Sequence, residues 1–367
     1  MTNTVVQGLP RWSLAVPPLA FVVLLVSWGR DLGPVLLILV CAGLGAAVIA
    51  AVHHAEVVAH RVGEPFGTLI LALAVTVIEV ALIVTLMASG GDKAAALARD
   101  TVFAAVMITC NGILGLSLVV GSLRHGTQEF RVRASNSALA VMTALVTLSL
   151  VLPTFTTSAP GPQFSSAQLA FAGVTSLVMY GVFVFVQTIR HRDYFLPVES
   201  TTEADEGEEE HAHAPSGQVA LLSLGLLFVC LIAVVGLAKT VSPRLESAVE
   251  SAGAPLAVVG VVIALLVLLP ETVAAVRAAL RNRLQTSVNL ALGSALASIG
   301  LTIPAIAVAS IWLSGPLVLG LGGTEMVLFA LTVVTSILTL ATGRATLLQG
   351  AVHLMVFSAF LFLAVSP

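Results

Sequence analysis

Apolar runs of membrane-spanning length recur from one end of this chain to the other, and nearly every charged residue falls in the gaps between them. Crossing a bilayer as a helix takes about 20 mostly apolar residues. Such runs occupy 13–28, 33–53, 67–89, 101–121, 134–152, 167–188, 218–238, 254–276, 286–312, 324–342 and 345–365. They lack the alternation of barrel strands and are too long for it, so they read as helices, which satisfy all their backbone polar groups internally. Hydrophobic residues make up 58% of the chain and charged ones 10%. The mean hydropathy is +1.05, more apolar than a soluble domain of this size needs. The expectation is an all-α polytopic membrane protein with about 11 transmembrane helices. The first run follows Arg11 and has no clean small-residue cleavage site after it, so it reads as an uncleaved span.

Lysine and arginine counts in the loops set the expected orientation. Arg11, Arg61, Arg124, Arg131, Arg133, Arg190, Arg192, Arg277, Arg281, Arg283 and Arg344 fall on one side; Arg30, Lys93, Arg99, Lys239 and Arg244 fall on the other. The first side is expected to be cytoplasmic, with the N-terminus inside, the C-terminus outside, and the loops at 153–166 and 313–323 outside.

One hydrophilic break, 189–217, divides the chain. It suggests an extra first helix (1–30), a first repeat of five helices (31–188), an acidic cytoplasmic linker (189–217) and a second repeat of five helices (218–367). An odd number of spans per repeat turns the two repeats over, giving two inverted five-helix repeats. The acidic stretch 203–210, followed by His211 and His213, reads as a solvated linker, with a low-affinity cation reservoir or regulatory element as the sharper alternative.

Two carboxylates lie deep within spans: Glu79 in ValIleGluVal and Glu271 in LeuProGluThr. A charge at mid-bilayer costs about 2.5–3.5 kcal/mol even on the lenient insertion scale, so such residues point to function. Each sits on the second helix of its repeat. Thr68, Thr76 and Glu79 fall within about 80° on their helix. Pro270 has no N–H for the ladder and frees a carbonyl one turn earlier, beside Glu271. The following helix of each repeat adds oxygens: Thr109 and Asn111, with Gly112 and Gly115 allowing close approach, then Asn289, Ser294 and Ser298. Asn289 and Ser294 lie about 140° apart on a regular helix, so convergence on one ion needs an irregular helix or a wider cavity. For the serines and Thr76, local helix hydrogen bonds are the competing reading.

Carboxylate, amide, hydroxyl and carbonyl oxygens together suit hard cations such as Ca2+, which takes 6–8 oxygen ligands. No histidine or cysteine cluster at depth suggests zinc or copper. Cys41, Cys110 and Cys230 read as small buried hydrophobes, His53, His54 and His60 as interfacial, and His353 as a satisfied packing residue. Two close carboxylates raise one another's proton affinity and can alternate between cation and protons.

The stretch GlyGluProPheGlyThrLeuIleLeuAlaLeuAlaValThrValIleGlu at 63–79 and the region from LeuProGluThr at 269–272 through ThrSerValAsnLeuAlaLeuGlySerAlaLeuAlaSerIleGlyLeuThrIlePro, ending at 304, resemble the two α-repeats of the calcium/cation antiporter superfamily. The nearest branch is the calcium/proton exchanger family, in its bacterial sodium-potassium/proton and calcium/proton form. The resemblance implies that Glu79 and Glu271 bind cation and proton, with Thr76, Asn111, Asn289, Ser294 and Ser298 in support. The family's GlyAsnAlaXaaGlu is absent, and its GlySerSerXaaGln is altered to GlySerAlaLeuAla at 293–297. These departures leave the choice among Ca2+, Na+ and K+ open. The expected activity is export of Ca2+, with Na+ or K+ as further or alternative substrates, in exchange for protons across a bacterial inner membrane. The expected partners are small inorganic cations and the lipid bilayer, with no cofactor and no nucleic acid. A purely monovalent antiporter and a cation channel are the rival readings. No HisGluXaaXaaHis or GlyXaaSerXaaGly sequence supports an enzyme.

Overall fold

The computed structural model describes residues 9–63, 66–190, 215–251, 253–313 and 315–367. Each of the eleven apolar runs corresponds to helix. In chain order these are α1 (Arg11–Ser27), α2 (Pro34–Val62), α3 (Phe66–Gly90), α4 (Leu97–Met107) continuing through a π-helical turn (Ile108–Ile113) into α5 (Leu114–His125), then α6 (Val132–Val146) and α7 (Ser166–Phe185). After the hydrophilic break come α8 (Gly217–Ser251), α9 (Ala257–Val267), α10 (Leu269–Leu280), α11 (Leu284–Ala309), α12 (Gly323–Leu340) and α13 (Leu347–Val365). Among the described residues, nine helices are long and apolar enough to cross a membrane, or ten if the bent pair α9–α10 is one span; α1 is a shorter apolar helix of 17 residues. Large apolar side chains such as Leu19, Val35, Ile38, Phe171, Leu221 and Met355 remain exposed on the outer faces. A water-soluble surface rarely carries apolar area on this scale, whereas lipid matches it.

Two compact units cut across the expected halves. One holds α1, α2, α3 up to Thr85 and α8 up to Arg244; the other holds the remaining helices. Within the first, α1 packs on α2. Gly236 of α8 leaves no room for a Cβ beside Leu24 of α1. Buried His54 bonds through Nε2 to the Ser13 carbonyl, 2.9 Å away, so it is an internal link between α1 and α2, not an interfacial residue. Cys41 lies exposed on α2, whereas Cys110 and Cys230 are buried as expected.

In the second unit the rod α4–π–α5 is the most buried span, and α9, α10, α11 and α13 pack along it. At one end, three connections lock together. Strand β1 (Gln128–Glu129) pairs antiparallel with β2 (Arg344–Ala345), and Arg344 bridges Glu129 at 2.9 Å. Buried Gln128 donates to the Ala279 carbonyl and to Asn282 Oδ1. Asn282 turns the chain from α10 to α11 at φ 59°, a left-handed conformation that asparagine tolerates better than most residues. These connections carry four of the basic residues counted on the expected cytoplasmic side, Arg131, Arg281, Arg283 and Arg344. The loops expected on the opposite side are likewise tied to each other: Thr154 Oγ1 donates to the Leu321 carbonyl at 2.8 Å, and Gly320 N–H to that of Pro162 at 2.9 Å.

Candidate cation and proton site

Glu79 and Thr76 occupy the first unit, on one face of α3, three residues apart. Both are buried, at 4% and 5% exposure, in a helix that runs unbroken through them. The side chain of Thr68 lies outside the described residues.

Glu271 has a different setting. The span carrying it bends by 53° at Leu268, between α9 and α10. Pro270 stands at the start of α10, where its missing N–H is harmless, and Glu271 falls in the first turn. The Leu268 carbonyl accepts both the N–H and the hydroxyl of Thr272, at 2.9 and 2.7 Å. A carboxylate in the first turn faces the positive end of the helix dipole. Glu271 is half-buried, less enclosed than Glu79.

The other expected ligands lie in the second unit. α10 packs against α11, which carries Asn289, Ser294 and Ser298, and against the π-helical turn, which carries Asn111. Thus the elements bearing Glu271, Asn111, Asn289, Ser294 and Ser298 are mutual neighbours. Ser298 is buried, while Asn289 and Ser294 are half-buried. α11 stays α-helical throughout, so Asn289 and Ser294 keep their wide angular separation. The irregular backbone lies instead in the helix of Asn111. Thr109 is bonded back to its own helix, at 2.7 Å to the Ala105 carbonyl.

Two hydrogen-bonded chains reach the amides. In one, the Arg131 backbone N–H donates to Gln285 Oε1 at 2.5 Å, and Gln285 Nε2 donates to Asn289 Oδ1 at 2.7 Å. Gln285 was not apparent as a site residue in the sequence, although it stands one turn before Asn289 on the same face. In the other, Asn111 Nδ2 donates to Thr332 Oγ1 (2.9 Å), and the Thr332 hydroxyl donates to the Leu328 carbonyl (2.8 Å). Asn111 Oδ1 lies 3.2 Å from His353 Nδ1, and His353 Nε2 lies 3.1 Å from Thr339 Oγ1. Asn111, Thr332 and His353 are all at 0% exposure. Glycine makes this meeting possible. A Cβ at Gly115 would sit 2.9 Å from His353 Cβ, and one at Gly350 would sit 2.8 Å from the Val119 nitrogen, so α5 and α13 cross backbone to backbone. Small residues allow this approach in membrane helices generally. Interhelical hydrogen bonds of this kind contribute only about 0.6 kcal/mol each on average, so their main effect is on geometry.

Among the described residues, no group of three or more histidine, cysteine, aspartate or glutamate side chains could hold a metal ion. The donor types present in the candidate site are oxygens from carboxylate, amide and hydroxyl groups.

Comparison with known proteins agrees with this architecture. The chain is 50% identical over 361 residues to y4hA of Sinorhizobium fredii, named as a candidate ionic transporter, covering 98% of this chain and 97% of that one. It is 36% identical over 352 residues to the sodium-potassium/proton antiporter ChaA of Escherichia coli, covering 95% and 94%. Its fold matches the crystal structure of the H+/Ca2+ exchanger CAX with a TM-score of 0.70 at 16% identity, over 95% of this chain and 87% of that one. The sodium/calcium exchanger protein model matches residues 32–189 and 222–366, most of the chain, and the chain belongs to that family.

Proposed function

We propose that this chain is a secondary cation/proton antiporter in which Glu79 and Glu271 alternately bind the cation and protons. The observation that carries the reading is the burial of Glu79, with Thr76 beside it, inside an otherwise apolar helix of an ion-exchanger fold. Burial disfavours a bare charge, so a cation or a proton bound at such a carboxylate is favoured there. Glu271, after a broken helix at membrane depth, would supply the second carboxylate. Asn111, Asn289, Ser294, Ser298 and Thr76 would supply neutral oxygens. Broken helices bearing ion-binding residues near the midplane are a common device of secondary transporters.

In this reading, cation binding displaces protons from the carboxylates at one face, and protons displace cation at the other. Ca2+ is the proposed substrate, exported as protons enter; the antiporter similar to this chain in Escherichia coli is named for Na+ and K+. The N-terminus lies in the cytoplasm and the C-terminus outside in this reading, with the repeats inverted. Everted vesicles carrying the protein, monitored by dequenching of a pH-sensitive dye, test the function directly. Addition of Ca2+ is expected to dissipate the proton gradient; a response to Na+ or K+ alone would establish the monovalent alternative. Cation flux with no proton counterflow would establish a channel.

A further inference from the structure

We propose that His353 is a positioning residue for cation binding: through Nδ1–H it fixes the orientation of the Asn111 carboxamide in the π-helical turn. The proposal rests on the reading of Asn111 as an oxygen of the cation site.

The hydrogen-bond directions determine the arrangement. An amide oxygen can only accept, so His353 Nδ1 carries the proton that meets Asn111 Oδ1. In the neutral ring Nε2 is then an acceptor, and the Thr339 hydroxyl lies 3.1 Å away to fill it. At the other end, the Thr332 hydroxyl spends its proton on the Leu328 carbonyl and accepts from Asn111 Nδ2. The carboxamide is therefore held from both sides. Turned over, it would set its NH2 against Nδ1, which accepts only in the ring's other tautomer, and its oxygen against a hydroxyl already donating to the Leu328 carbonyl. His353 uses one of the two lone pairs on Oδ1, leaving the oxygen able to accept a second partner.

The location gives this clamp its consequence. Asn111 sits in a π-helical turn, a backbone irregularity common at functional sites. That turn packs against α10, which carries Glu271, and against α11, which carries Asn289 and Ser298. α13 and α12, which carry His353 and Thr332, both pack against the same turn. Two helices with no carboxylate at the candidate site thus hold one of its amides in register.

The test compares H353L, which keeps bulk but removes both ring nitrogens, with H353N, whose amide N–H2 can stand in for Nδ1–H. Purified variants in proteoliposomes are assayed with Ca2+, Na+ and K+ separately, after monodisperse elution confirms the fold. H353L is expected to raise the cation KM by roughly 3- to 15-fold, the range spanned by interhelical hydrogen bonds in membranes, with maximal rate little changed. H353N is expected to return KM close to wild type, and the pH profile of exchange should be the same in all three proteins. An unchanged KM in H353L, or an H353N as impaired as H353L, would overturn the proposal. So would a displaced pH profile, which would make His353 itself a proton carrier. If H353L fails to fold, T332V releases the other side of the carboxamide and must show the same rise in KM; an unchanged KM there overturns the proposal equally. Glu79→Gln and Glu271→Gln run in parallel separate the two readings. Transport surviving in those variants defeats the proposed function, whereas their loss beside a normal H353L defeats only this inference.

Discussion

Glu79 and Glu271 occupy matching places in the two halves of the sequence but stand in contrasting local structures. Glu79 lies buried on a continuous helix, with Thr76 one turn before it. Glu271 opens a new helix after a 53° bend, half-buried, with a dipole end behind it. The contrast shows two ways to keep a carboxylate at membrane depth. One encloses it, which favours binding of a cation or a proton there. The other breaks the helix and sets the charge at the positive end of the new helix's dipole. Glu79 is accordingly expected to be exacting about side-chain length, and Glu271 more tolerant.

The largest expected effects come from removing either charge. Glu79→Gln and Glu271→Gln should each abolish exchange in proteoliposomes while the protein still inserts and elutes as a folded species; near-normal transport by either breaks the shared-site model. Shortening by one methylene sharpens the comparison. E79D should be nearly inactive, because a tightly packed site cannot bring the shorter carboxylate to the same point. E271D should keep measurable transport, and equal residual rates would dissolve the distinction between enclosed and helix-end carboxylates.

A smaller effect is expected at the bend itself. P270A restores the N–H that proline lacks and favours one continuous helix over α9 and α10. At the start of α10 the missing N–H costs little, so thermal stability in detergent should change little while the transport rate falls. A fully active variant would mean that the bend has no role in exchange.

The contrast also explains what could be read from sequence. Glu79 and Glu271 stand out as candidates in the sequence because a carboxylate in a long apolar run has few bland explanations. Pro270 announced its bend, since the missing N–H is a local property. Gly112 and Gly115 signalled a close approach, and the structure supplies the partner: α13, at Gly350 and Phe357. What could not be read was long-range pairing. His353 looks like any histidine in a span; only the crossing of α5 and α13, more than 200 residues apart in sequence, sets it beside Asn111. The π-helical turn was equally hidden, because one extra residue in a helix leaves no mark on an all-apolar pattern. Helix α1 and the burial of His54 show the same limit: periodicity in a membrane segment does not separate a lipid face from a protein face, since both are apolar.

Competition between cation and protons comes next in size. If both bind the same carboxylates, lowering the pH on the loading side should raise the apparent cation KM, by up to about tenfold per pH unit for each competing proton, with the maximal rate nearly constant at saturating cation. The rise should flatten at alkaline pH, where the carboxylates are already deprotonated. A proton effect on maximal rate alone, at constant KM, would place the protons at a separate site.

The smallest effect is expected from the most strongly charged part of the chain. Residues 203–210 lie outside the described residues, between α7 and α8, and carry most of the acidic charge of the 189–217 break. Their abundance of carboxylates invites comparison with the two membrane glutamates, but the physics differs. A carboxylate in water keeps its solvation, and salt screens it over about 8 Å at physiological ionic strength. It can gather cations loosely, yet it gains little by exchanging water for an ion. A buried carboxylate has lost that solvation and gains much more from a bound cation or proton. Deleting 203–210 should therefore leave exchange intact, changing the apparent cation KM by no more than a few fold and least of all at high salt, where screening has already removed the local enrichment. Flux measured at low and high ionic strength in wild type and deletion reads this directly. Complete loss of transport in a correctly folded deletion would mean that the segment takes part in the exchange cycle, and that enclosure within the membrane is not what separates the working carboxylates from the rest.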